Sequence, residues 1–350
     1  MNSVKWNIVF IVIAVVLLVG ALFVFNKYSK KIEKIQFLGE AQGTYYAVTY
    51  SDGENRNFQP EIDSILMNFD QVASLWEENS EISKVNRNED VELSDMFIDI
   101  FNKSEEISKM SGGAFDITVG NLVKMYGFWN KQREEITEEK INYYLQFVGY
   151  QKVKIENRRV VKESDSIKLD FNAIAQGYSV DVVCDFLDSK GIENYLVDIG
   201  GEVKGRGNKG RSTHQQHDSF LQNSNVWVVG IEKPSETADD DRMVQLKVPL
   251  QDASIVTSGG YRKYFEKDGK RFSHTIDPKT GKPIAHNLLS VSVLAKDAWY
   301  ADALATVFMV MGVEKSQEII KQLPDVEAYF ISAKGEVYKS EFSAGFTTCQ

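Results

Sequence analysis

Asp302 and Thr306 stand four residues apart in the run Ala301-Asp302-Ala303-Leu304-Ala305-Thr306. On a helix that spacing places a carboxylate and a hydroxyl on one face, one turn apart. Oxygen donors so arranged suit a hard cation such as Mg²⁺ or Ca²⁺. An exposed Asp near a helix start, with a neutral Thr one turn on, would read the same. The neighbours Ala303, Leu304, Val307, Phe308, Val310 and Met311 are apolar, however, so the helix is expected to be buried. An Asp inside such a helix needs a partner. A second stretch, Ser273-His274-Thr275-Ile276-Asp277-Pro278-Lys279-Thr280-Gly281, ends in turn chemistry: Asp opens it, Pro sets φ and Gly takes the left-handed position. His274 then falls at the end of a strand, alternating with Ile276. Histidines in such places are mostly structural, but an imidazole titrates near neutral pH and can act as a general base. The third, Asp170 through Gly177, joins a strand to a helix. Free amides at a helix start hold phosphate, and a nearby carboxylate binds a ribose or adenine edge. A simple capped helix would use the same residues. Gly200-Gly201 and Ser258-Gly259-Gly260 admit a ligand close to the backbone.

The elements that must position these residues are legible from periodicity. Alternation predicts strands at Thr44–Tyr50, Tyr195–Ile199, Val226–Ile231, Met243–Val248, Ser290–Ala295 and Glu327–Ser332. Further strands are expected at Val153–Val161, with a turn at Asn157, and at Ile167–Phe171. Helical stripes run over Glu61–Leu75, Asp95–Met110, Glu138–Val148, Tyr178–Lys190 and Trp299–Met311. Lys30–Lys34 reads as a short basic linker, and Gly205–Asn225 as an exposed polar excursion. Strands and helices mix without regular alternation, which predicts an α+β fold built on largely antiparallel sheets with packed helices.

The net charge of −10 argues against nucleic acid, whose phosphates need a basic surface. Cys184 and Cys349 make neither a disulfide framework nor a metal spacing. From Ile8 to Phe25 there is no charge, and 18 helical residues span about 27 Å, close to the apolar thickness of a bilayer. Trp6 and Tyr28 flank the run, and Lys5, Lys27, Lys30 and Lys31 bracket it. Residues 1–30 are therefore expected to form an N-terminal transmembrane anchor. A cleaved signal peptide is the rival reading, with no small-x-small site after the run to support it.

Eight segments taken in order resemble the ApbE family of FAD:protein FMN transferases: Gly43–Tyr46, Ser80–Asn86, Gly113–Gly120, Asp170–Gly177, Asp198–Gly201, Thr257–Gly259, His274–Gly281 and Ala301–Thr306. The resemblance covers nearly all of residues 31–350, which it implies are one ApbE-like domain. It implies transfer of FMN from FAD to a threonine or serine hydroxyl of a partner flavoprotein, with AMP released. Its implied metal site is Asp302, Thr306 and the backbone oxygen of Ala173, with Ala305 where some relatives carry a second carboxylate, and Mg²⁺ or Ca²⁺ as the cation. His274 is the implied base. FAD contacts are implied at Gln42, Trp76, Ala114, Phe115, Asp116, Asp170, Gln176 and Ile276. Gln42 stands where many relatives have Met, Trp76 where they have Tyr, and Gln176 where Lys or Glu is common. The implied acceptor is a protein such as a subunit of a membrane redox complex. The expected location is the inner (cytoplasmic) membrane, single-pass, with the catalytic domain on the periplasmic side. An FAD pyrophosphatase and a non-catalytic FAD carrier are the alternatives; a carrier has no need of His274 beside a metal pair.

Overall fold

The computed structural model describes residues 33–129, 134–209, 225–234, 243–260, 264–267, 270–334 and 337–348. The anchor expected at residues 1–30, including Ile8–Phe25, lies outside them, as do Cys349 and most of the polar excursion. Among the described residues no helix is long and apolar enough to cross a membrane.

Eight strands form the central sheet: β1 (Glu33–Ala41), β2 (Thr44–Asp52), β3 (Tyr195–Ile199), β4 (Glu202–Arg206), β5 (Ala253–Gly259), β6 (Leu288–Ala295), β7 (Glu327–Lys334) and β8 (Val337–Phe342). Their spatial order equals their chain order, and every neighbouring pair is antiparallel. The α+β expectation holds. The sheet is thus a meander whose connections have swollen into helices. Four of these matter most: α1 (Gln59–Ala73), α2 (Asp95–Met110), α3 (Ala175–Ser189) and α4 (Ala298–Met311).

Alternation along the strands decides what covers each face. Tyr46, Val48 and Tyr50 of β2 bury themselves with Ile62 and Leu66 of α1 and Val180, Val183 and Leu187 of α3. On the other side Val203, Ile255 and Ile331 pack against Trp227, Val248 and Leu250 of a separate hairpin. Cys184 is a buried core residue, as its apolar helical stripe suggests. The helix α4 buries residues all round, including Ala301, Ala303, Leu304, Val307 and Phe308. A helix apolar on every face belongs in the interior.

Two sequence expectations need correction. Lys34 is not linker but part of β1, which closes onto β2 through the two-residue turn Gln42-Gly43, with φ of 55° and 70°. That left-handed pair matches the twist of the strands it joins. Ile167–Phe171 forms no strand; one parallel bridge links Lys168 to Val119. Its other backbone groups bond to a side chain and a loop, described below. By contrast the turn at Asn157 is a hairpin of Val153–Glu156 with Arg159–Lys162, as read.

Candidate active site

The junction of α3 and α4 organises the site. Gly177, in the first turn of α3, lies so close to α4 that a Cβ on it would sit 2.3 Å from the Ala298 carbonyl oxygen and 2.6 Å from the Asp302 Cβ. Glycine is therefore a packing requirement. The closeness lets the Gly177 N–H donate to Asp302 Oδ2 at 2.9 Å. Gly177 lies in the first turn of α3, where amides have no partner within the helix, and Asp302 supplies one from α4. Thr306 follows one turn along α4 from Asp302 and is half-buried. Asp302 and Thr306 are thus one turn apart on α4, and Ala173 precedes by four residues the glycine that Asp302 bonds. Ala305 is fully buried in the larger apolar cluster and its methyl offers no donor. Among the described residues no cluster of three or more His, Cys, Asp or Glu is placed for a metal. An oxygen-only set with a single carboxylate fits a hard cation that keeps water or phosphate ligands, as Mg²⁺ does.

Asp170 stands just upstream. It is 6% exposed, and burial pushes its carboxyl up to about 6, against the pull of the Asn172 N–H that donates to Oδ1 at 2.8 Å. Its own N–H donates to the Ile117 carbonyl at 2.7 Å, which sets it beside the 114–118 segment. There Asp116 ties two loops: Oδ1 accepts from the Thr118 amide (2.8 Å) and hydroxyl (2.6 Å), and Oδ2 from the Tyr150 amide (2.7 Å). Burial raises its pKa while those bonds oppose the rise. Ala114 and Phe115 have buried side chains in the main core, so their backbone is what they present to a ligand.

The remaining expected residues sit on separate elements. The Gln176 Nε2 donates to the Ile199 carbonyl at 3.1 Å and closes on Gly200, where a Cβ would meet it at 1.9 Å. Gln42 sits at the β1–β2 turn; its Nε2 is buried with no hydrogen-bond partner among the described residues. Trp76, just past α1, is 63% exposed. His274 occupies a bend directly after the strand Lys270–Ser273, as expected, its ring edge-on to Phe128 at 6.2 Å. Ile276 is buried with Leu122, Met125, Tyr126 and Ile141. The expected turn is present: Asp277 accepts from the Lys279 amide and the Thr280 hydroxyl, and Gly281 has φ 67°.

A sequence profile of the ApbE family matches residues 42–330. The chain belongs to the ApbE family. A Vibrio cholerae FAD:protein FMN transferase is 36% identical over 307 residues, 84% of this chain and 87% of the relative. The Escherichia coli K12 FAD:protein FMN transferase is 32% identical over 320 residues, 88% and 87% of the two chains. Among solved structures, the flavin transferase ApbE from Vibrio cholerae superposes with TM-score 0.77 at 32% identity, covering 90% of this chain and 99% of that one. The apo form of the Pseudomonas stutzeri flavinyl transferase ApbE gives TM-score 0.77 at 32% identity, covering 90% and 95%.

In this ApbE chain one supporting cluster had escaped notice in the sequence. Lys204 of β4 reaches Asp181 of α3 at 2.5 Å and Asp297 at 3.1 Å, while Asp181 Oδ2 accepts the Trp299 N–H at 2.8 Å. The cluster joins the sheet, α3 and the first turn of α4, and so holds the two helices that bring Gly177 to Asp302. Burial works against the Lys204 charge, but the two carboxylates hold its pKa above the ordinary range. Its signal was an Asp on an otherwise apolar helix stripe, which needs a partner.

Proposed function

We propose that this chain transfers FMN from FAD to a threonine or serine hydroxyl of a partner flavoprotein, releasing AMP. The observation that carries the reading is the α3–α4 junction, where Asp302 takes the Gly177 amide a few residues after buried Asp170. The relatives' names give the activity, and this geometry supports the reading.

The acceptor hydroxyl oxygen attacks the phosphorus of the FMN half of the pyrophosphate. The bond from that phosphorus to the bridging oxygen breaks, and AMP carries the oxygen away. His274 takes the hydroxyl proton. Asp302, Thr306 and the Ala173 carbonyl would hold Mg²⁺ or a similar hard cation, which neutralises pyrophosphate charge when bound. Asp170 fixes the nucleotide by hydrogen bonding, and Trp76 offers a ring to stack on it. Gln42 brings an amide donor that FAD would satisfy. Residues 1–30 would tether the enzyme as a single-pass anchor in the cytoplasmic membrane, with the catalytic domain outside.

The test incubates the detergent-solubilised full chain with FAD, Mg²⁺ and a flavin-accepting domain, then reads covalent fluorescence on a denaturing gel. Labelling is expected to need the metal and to fall by about 10²–10⁴-fold in His274→Ala. Labelling that survives chelation, or survives His274→Ala, refutes the mechanism. AMP release without labelling assigns a pyrophosphatase instead, and bound FAD without AMP a carrier.

A further inference from the structure

Ser80-Glu81-Ile82-Ser83-Lys84-Val85-Asn86 folds as a short helix that is capped at its start, where the Ser80 hydroxyl accepts the Ser83 N–H at 3.1 Å. Its last residue, Asn86, is 4% exposed and points its carboxamide at one residue of a distant segment. Nδ2 donates to the Leu169 carbonyl at 2.8 Å, and Oδ1 accepts the Leu169 N–H at 2.7 Å. That two-way exchange is what a neighbouring strand would provide, at a place where no strand lies. The next amide, that of Asp170, donates to the Ile117 carbonyl at 2.7 Å. The peptide group between Leu169 and Asp170 is therefore pinned at both ends, its C=O by Asn86 and its N–H by Ile117. A pinned peptide plane fixes the direction in which the Asp170 side chain leaves the backbone.

The helix end that carries Asn86 is itself secured. Lys162 Nζ donates to the Val85 carbonyl at 2.6 Å, and Lys168 Nζ donates to the Asn86 carbonyl. Ammonium groups at a helix C-terminus satisfy its orphan carbonyls and complement its dipole.

We propose that Asn86 is a positioning residue for the nucleotide, acting through Asp170. The proposal rests on the reading of Asp170 as a nucleotide contact. Asparagine is required because a carboxamide alone, at this length, presents a donor and an acceptor side by side. Aspartate lacks the donor, and an aliphatic side chain lacks both.

The experiment measures KM for FAD, kcat and equilibrium FAD binding in the detergent-solubilised full chain for Asn86→Ala, Asp170→Asn and the double variant. Asn86→Ala removes both bonds, and FAD affinity and KM are expected to weaken about tenfold. Its kcat is expected to stay within about twofold, since the acceptor and base are untouched. In the Asp170→Asn background the same change is expected to add nothing, because the group it positions is already gone. A merely structural role would multiply the two effects. An unchanged KM in Asn86→Ala, or full additivity, overturns the proposal. Asn86→Asp, which keeps the acceptor for the Leu169 N–H and loses the donor, is the second variant should Asn86→Ala not fold; its KM is expected to lie above wild type, and a wild-type value overturns the proposal equally. If Asp170→Asn alone leaves FAD binding unaltered, the nucleotide reading of Asp170 fails, which is a separate outcome.

Discussion

Replacing Asp170 by Asn is expected to make the flavin-free protein more stable while weakening its hold on FAD. Burial pushes the Asp170 carboxyl from its ordinary 3.8 up to about 6. At about 1.4 kcal/mol per pH decade, a gap of about two decades amounts to about 3 kcal/mol. The sign follows from which state holds the proton. Below pH 3.8 both folded and unfolded chains carry it, and the carboxyl contributes nothing. Between pH 3.8 and about 6 the unfolded chain has released the proton that the folded chain keeps, so wild-type stability falls as pH rises. Above pH 6 the folded protein bears the full penalty of a buried carboxylate. Asn is nearly the same shape as protonated Asp, and its oxygen can still accept the Asn172 N–H. Urea denaturation of wild type and Asp170→Asn, free of FAD and metal, is the assay. The variant is expected to match wild type at pH 3.5 and to exceed it by about 3 kcal/mol at pH 8, with the gap opening between. A variant no more stable than wild type at pH 8, or a gap independent of pH, refutes the reasoning. The same variant is expected to raise KM for FAD, the pattern of a residue kept for binding at the expense of stability.

Gly177→Ala is expected to cost more than about 3 kcal/mol and to abolish flavin transfer, since its Cβ would collide with backbone and Cβ atoms of α4 that cannot swing aside; urea titration checks the first and gel fluorescence the second. Near-normal stability in that variant would show that the helices separate easily and that the junction is not rigid. Trp76→Ala is expected to raise KM for FAD about three- to tenfold by removing a stacking ring. Its melting temperature should stay within about 2 °C of wild type, because the side chain is mostly exposed and supports no core. Loss of stability without a change in KM would assign Trp76 to the fold instead.

Much of the site's chemistry was readable along the chain because it depends on local spacing. Asp302 and Thr306 share a helix face by virtue of being four apart, and Asp277 through Gly281 form their turn from residue types alone. The antiparallel α+β class also followed from local periodicity, as did α2 over Asp95–Met110 and β3 over Tyr195–Ile199, whose bounds match the expectation. The strand β1 was missed because its first residues are charged, and only pairing with β2 across Gln42-Gly43 makes them a strand.

What periodicity could not supply was the partner of each polar group. Asp302 bonds to an amide 125 residues earlier in the chain, Asn86 to a backbone 83 residues later, and Lys204 to carboxylates on two helices. The same limit explains Ile167–Phe171, where apolar alternation announces a strand but the hydrogen bonds go to a side chain and a loop. The sequence by itself determined which residues carry oxygen, charge and a titratable ring, and which elements they ride on. Only the tertiary structure decided that Gly177 would approach α4 closely enough for its amide to bond Asp302. Spacing reaches one helical turn, whereas a buried polar group must find its partner wherever packing brings one within about 3 Å.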